Sequence, residues 1–86
     1  MLYRIYTENI NRAKIEKIVS EHYDGFTIVE GTGFWKSQKE ASLIIEIIGD
    51  DESDLDSVKI IAEQIKKTND QDSVLVQRIE NNHWFV

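Results

Sequence analysis

Trp35 stands in a run that also holds two glycines and two lysines, Gly31-Thr32-Gly33-Phe34-Trp35-Lys36-Ser37-Gln38-Lys39. An exposed indole beside ammonium groups can stack a base and pair its phosphate. Glycine-rich backbone can add N–H groups to such a site. Gly31, Gly33, Trp35, Lys36 and Lys39 are therefore the candidate ligand-binding residues, and the ligand they would suit is small and anionic. Each has a plainer reading beside it. The glycines do not open a helix, as a dinucleotide fingerprint would, and serve equally as a bent strand end. Trp35 is a residue type enriched at subunit boundaries. In an extended segment Phe34 and Trp35 face opposite ways, so at most one of them is expected to be free.

Other chemistry-bearing residues point to structure first. Arg4, on an apolar strand, needs a partner, and Glu46 or Glu80 on neighbouring strands can supply it. Glu40 and Glu46, six residues apart on one strand, lie ~20 Å apart, too far for joint acid–base work. His22 falls on or near the apolar side of a helix and reads as a half-buried core residue. His22 and His83 without any cysteine make a weak metal signal, and no metal or other cofactor is expected. The acidic run from Asp50 to Asp56 lacks calcium-loop spacing and reads as a solvated helix start. No serine has a nucleophile context. These absences point away from an enzyme.

The elements that would position these residues follow from periodicity. Leu2–Thr7 reads as a strand. Asn9 caps a helix running to about Tyr23, with Ile15, Ile18 and Val19 at helical spacing, and Gly25 takes the left-handed conformation past its end. Phe26–Glu30 is a second strand and Ala41–Ile48 a third, with Gly31–Glu40 between them as a protruding ribbon or ordered loop, long for a tight hairpin. Ser53 with Asp56 resembles a capping box for a second helix. Leu55, Val58, Ile61, Ala62 and Ile65 form its stripe, and Asn69 closes it. Ser73–Glu80 is a fourth strand and His83–Val86 a short fifth. The order β-α-β-β-α-β is the ferredoxin-like α+β plan, an antiparallel sheet with both helices on one face, over a single domain spanning 1–86.

The third strand, Ala-Ser-Leu-Ile-Ile-Glu-Ile-Ile, is oily on both sides: Leu43, Ile45 and Ile47 point one way, Ile44 and Ile48 the other. Two helices cover one face. A second copy is expected on the other, with Ile44, Ile48, Trp84 and Phe85 as interface residues.

Composition bounds the partners. A formal net charge of -6 excludes nonspecific nucleic-acid binding and anionic membrane surfaces. The absence of cysteine and of a signal-peptide pattern fits a cytoplasmic protein.

The element order, the phrase Gly25-Phe26-Thr27-Ile28-Val29-Glu30-Gly31-Thr32-Gly33, the Trp35 loop and the Glu40-led third strand resemble the PII-like group. That group holds the PII signalling proteins and the CutA-like cation-tolerance proteins. Short phage-borne proteins with a Gly-x-Trp ribbon and a Gln-x-x-Val-Leu-Val strand, here Gln71-Asp72-Ser73-Val74-Leu75-Val76, are similar too. The resemblance implies a homotrimer whose sheets line a three-fold core, with clefts between subunits for a nucleotide-like signal molecule. The long loop and basic phosphate residues of the PII proteins have no counterpart here, so their nucleotide site does not carry over. Two alternatives stand beside this reading. One is an acidic interaction module or inhibitor that docks on a basic partner. The other is a small metabolic enzyme with a site on the sheet face.

Overall fold

The computed structural model describes residues 1–50 and 52–80. Its elements are β1 (Leu2–Glu8), α1 (Arg12–Ser20), β2 (Thr27–Trp35), β3 (Gln38–Ile48), α2 (Asp54–Asn69) and β4 (Leu75–Ile79). The strands form one antiparallel sheet in the order β2-β3-β1-β4. This is the ferredoxin-like plan, with both helices on one face. Trp84, Phe85 and the expected fifth strand at His83–Val86 lie outside the described residues.

The pleat decides the core. Tyr3 and Ile5 of β1 and Leu43, Ile45 and Ile47 of β3 are fully buried beneath Ile15 and Val19 of α1 and Val58, Ile61 and Ile65 of α2. Each such side chain removed from water contributes about 1.5–3 kcal/mol. The alternate positions, Ile44 and Ile48 among them, face away from the helices, as the sequence pattern requires.

Local departures from the sequence reading have physical causes. The N–H of Asn9 donates to the carbonyl of Ala41 at 3.1 Å, so Asn9 prolongs the sheet and does not cap α1. The cap is Asn11, in the left-handed region at φ 55°. The helix ends at Ser20, and the N–H groups of His22 and Tyr23 close the turn on the carbonyl of Val19. Gly25 is not left-handed, because those bonds finish the helix without it. His22 is exposed, one turn too late for the apolar stripe. At the other helix, the expected stop is found. Asp70 takes φ 52°, and the N–H of Gln71 reaches the carbonyl of Lys66, the bond pattern of a Schellman cap.

Of the two expectations for Gly31–Glu40, the protruding ribbon is the one found, and its turn is tighter than the sequence suggests. The segment between the second and third strands is itself strand. β2 and β3 pair without interruption until Trp35 meets Gln38. A two-residue turn, Lys36-Ser37, joins them with φ values of 50° and 64°. Positive φ at both central residues is what a type I′ hairpin requires, here without glycine. The ribbon stretches the molecule to 38 Å, against 24 and 20 Å in the other directions.

The α2 start is tied to the segment that follows α1. The Tyr23 hydroxyl donates to Asp54 Oδ1 at 2.8 Å, and burial followed by that bond pushes the Tyr23 phenol up to about 12. An unfolded tyrosine releases its proton near 10. Between pH 10 and 12 the folded chain therefore binds more protons than the unfolded one, and stability falls as pH rises through that window. Melting profiles of Tyr23→Phe should be flatter over this range than those of the native chain. Equal slopes would show that Tyr23 does not govern the alkaline loss.

Candidate functional site

β1 leaves the sheet at Glu8, opposite Ser42, while the β2–β3 ribbon runs on past it. The loop from Asp70 to Ser73, between α2 and β4, rises on the other side of β1. Between ribbon and loop lies a cleft of about 560 Å³. Gly33, Phe34, Trp35 and Glu40 line it from the ribbon, Tyr6 and Glu8 from β1, and Asp70, Gln71, Asp72 and Leu75 from the loop and β4.

The loop wall is held by a polar network. The Thr7 hydroxyl donates to Gln71 Oε1. Asn69 Nδ2 donates to Gln71 Oε1 at 2.8 Å and to Thr7 Oγ1 at 3.3 Å. Asn11 Nδ2 donates to Asn69 Oδ1 at 3.2 Å. Thr7 and Asn69 are buried polar residues, each satisfied inside this network.

The ribbon residues separate. Gly31, Gly33 and Trp35 share the face turned from the helices, opposite Ser42, Glu40 and Gln38. Lys39 pairs with Phe34 on the other face. Lys36 sits in the turn, its Nζ 6.0 Å from the centre of the Trp35 ring. Gly31 and Gly33 have no left-handed conformation and belong to the strand ladder, so they form no phosphate-cradling nest. Phe34 and Trp35 are both exposed, at 71% and 68%, because the ribbon tip extends beyond anything that would cover either side.

The electrostatics of the cleft were not foreseen. Glu8, Glu40, Asp70 and Asp72 line it, and no lysine or arginine does among the described residues. The carboxylates do not converge, since no group of three metal-ligating side chains comes together among those residues. A positively charged group with apolar parts suits this lining better than an anion does. Sequence reading missed Tyr6, Glu8, Asp70 and Asp72 as one constellation because they come from two segments more than sixty residues apart. The signal that locates the loop, a buried Asn69 followed by left-handed Asp70, is visible only after folding.

Arg4 and Glu46 lie at the centre of the uncovered sheet face. Arg4 Nε meets Glu46 Oε2 at 2.8 Å, so of the two partners the sequence offers, Glu46 and Glu80, the first is the one it takes. The bond to Glu46 raises the Arg4 pKa above its ordinary value. Thr27 and Gln77 complete this row. Apolar side chains flank it: Val29, Ile44, Tyr6 and Leu75 on the cleft side, Ile48, Leu2 and Ile79 on the other. Val29, Ile48 and Leu75 are 45%, 47% and 62% exposed. No helix among the described residues is long and apolar enough to cross a membrane.

No protein family's model matches the sequence, and no curated protein matches it. Among solved structures, the fold is similar to that of a DUF3240 family protein from Shewanella baltica OS155, with a TM-score of 0.73 and 16% sequence identity over 99% of this chain and 94% of that one.

Proposed function

We infer that this chain is a small non-enzymatic binding protein of ferredoxin-like fold that works as a homo-oligomer. Its subunits join through the open face of the sheet, and its ribbon cleft holds the ligand. The observation that carries this reading is the open face itself. Three exposed aliphatic side chains and the half-buried Ile44 lie on a sheet whose other side already uses both helices. Apolar area of this kind on a small domain is normally covered by a partner.

The ligand reading follows the charge of the cleft. Four carboxylates beside Trp35 favour a basic, partly apolar group, such as a lysine- or arginine-bearing segment of a partner protein. An anionic, nucleotide-like molecule keeps one supporting observation, Lys36 beside Trp35 at the ribbon tip.

Sedimentation of the native chain at micromolar concentration should show no stable monomer, and a folded monomer would remove the oligomer reading. Calorimetric titration separates the ligands. A basic peptide should bind and lose about tenfold in affinity in Trp35→Ala, the scale of one aromatic–cation contact. Nucleotide binding that disappears in Lys36→Ala/Lys39→Ala would favour the anion instead.

A further inference from the structure

We propose that the open sheet face packs on a second copy of this chain about a two-fold axis that runs parallel to the strands between β1 and β3. That axis sets Arg4 of each protomer against Glu46 of the other. The inference rests on the oligomer reading above and adds its symmetry and register.

The argument is one of charge complementarity. A face that packs on itself does so about a two-fold axis lying in the plane of contact. Two directions respect the strands. An axis across the strands lays Arg4 on the partner's Arg4 and Glu46 on the partner's Glu46. Covered like charges are strongly unfavourable. An axis along the strands, between the two central ones, exchanges β1 with β3 and β2 with β4. Because Arg4 and Glu46 are direct neighbours in register, each then faces its opposite, and two protomers close an alternating ring of four charges. The apolar rows match under the same operation. Ile44 faces the partner's Tyr6, Ile48 faces the partner's Leu2, and Val29 faces the partner's Leu75. Aligned sheets in such a sandwich cross at about 30°. The ring selects one orientation from two that are equally oily, the best-attested role of covered polar groups.

The axis also brings both ribbon clefts to the same end of the pair. Their carboxylates stay in solvent, where salt screens them beyond ~8–10 Å. The covered central charges therefore decide the orientation.

The test uses two charge reversals in the full chain. Arg4→Glu carries only carboxylates at the centre, and Glu46→Arg only guanidiniums. Each alone should associate on the order of 100-fold more weakly than the native chain, since covered charges are left facing their like. An equimolar mixture should restore a particle of two chains, one of each variant, by intact-complex mass spectrometry. Orientation is read by cross-linking, because the native chain has no cysteine. Tyr6→Cys mixed with Ile44→Cys should form a disulfide-linked pair under mild oxidation, and Ile44→Cys mixed with Ile48→Cys should not. The reverse result selects the axis across the strands and overturns the proposal. A native particle of three chains overturns it while leaving the oligomer reading intact. A native monomer removes both. Should a charge reversal unfold the chain, the cross-linking result decides alone.

Discussion

Ile45→Asp is expected to prevent folding, while Ile44→Asp, one residue earlier on the same strand, leaves a folded chain that no longer associates. Ile45 is fully buried between Ile5 and Ile28 under the helices. A carboxylate there has no partner, and a stranded buried charge costs several kcal/mol, on top of the lost packing of the isoleucine. A domain of this size has a total stability of only about 4–13 kcal/mol. Ile44 is half-buried on the other face, between Tyr6 and Val29. Its replacement by Asp places the charge in water while the chain is alone and strands it only on association. Circular dichroism melts separate the two variants by fold, and sedimentation reads the assembly of the second. An Ile44→Asp chain that still assembles would move the contact off the open face. An Ile44→Asp chain that unfolds would mean that this face belongs to the core.

The two-sided character of β3 was legible in the sequence because side-chain direction in a strand has a period of two. The 3.6-residue period gives the helix stripe of α2 in the same way, whereas the choice of Glu46 over Glu80 as the partner of Arg4 needed the register of β1 against β3. A protruding ribbon was legible, but the tightness of its turn was not. Its turn carries Lys36 and Ser37 in conformations that glycine or asparagine usually takes, so the commonest hairpin signal is missing. Gly31 and Gly33 follow the strand reading and not the phosphate-cradle one. They are strand residues on an edge, where a missing side chain is tolerated. The separation of Lys39 from Trp35 follows directly from that turn. With Trp35 opposite Gln38, Lys39 is one step out of phase. The acidic cleft was hidden for a different reason. Glu8, Glu40 and Asp72 lie far apart along the chain, and only the long-range pairing of β1 with both β3 and β4 brings them to one opening.

Asn69→Leu is the second substitution expected to act strongly, and it acts on the cleft through its wall. Asn69 is the last residue of α2 and is buried. Its side chain holds Thr7 of β1, Gln71 of the loop and Asn11 of the β1–α1 connection together. Leucine has nearly the same volume but neither donates nor accepts. The polar groups of Thr7 and Gln71 then lose partners in a place that water reaches poorly, at about 1–3 kcal/mol. For a domain of this length that lowers the melting temperature by roughly 4–8 °C for each kcal/mol. Thr7→Val, which removes a hydroxyl from the same network and keeps the β-branched shape, should lower it by a smaller amount in the same direction. Loss of stability is half of the expectation. The other half is local: amides of Asp70–Ser73 should exchange with solvent faster in Asn69→Leu, while those of β3 keep their protection, because the core beneath the helices is untouched. Binding at the cleft should weaken with the loop, since Asp70 and Asp72 would no longer be held opposite Trp35. A melting temperature within about a degree of native would show that the network contributes little. Unchanged exchange in the loop would show that the helix cap alone, through the Gln71 N–H and the Lys66 carbonyl, keeps the cleft wall in place.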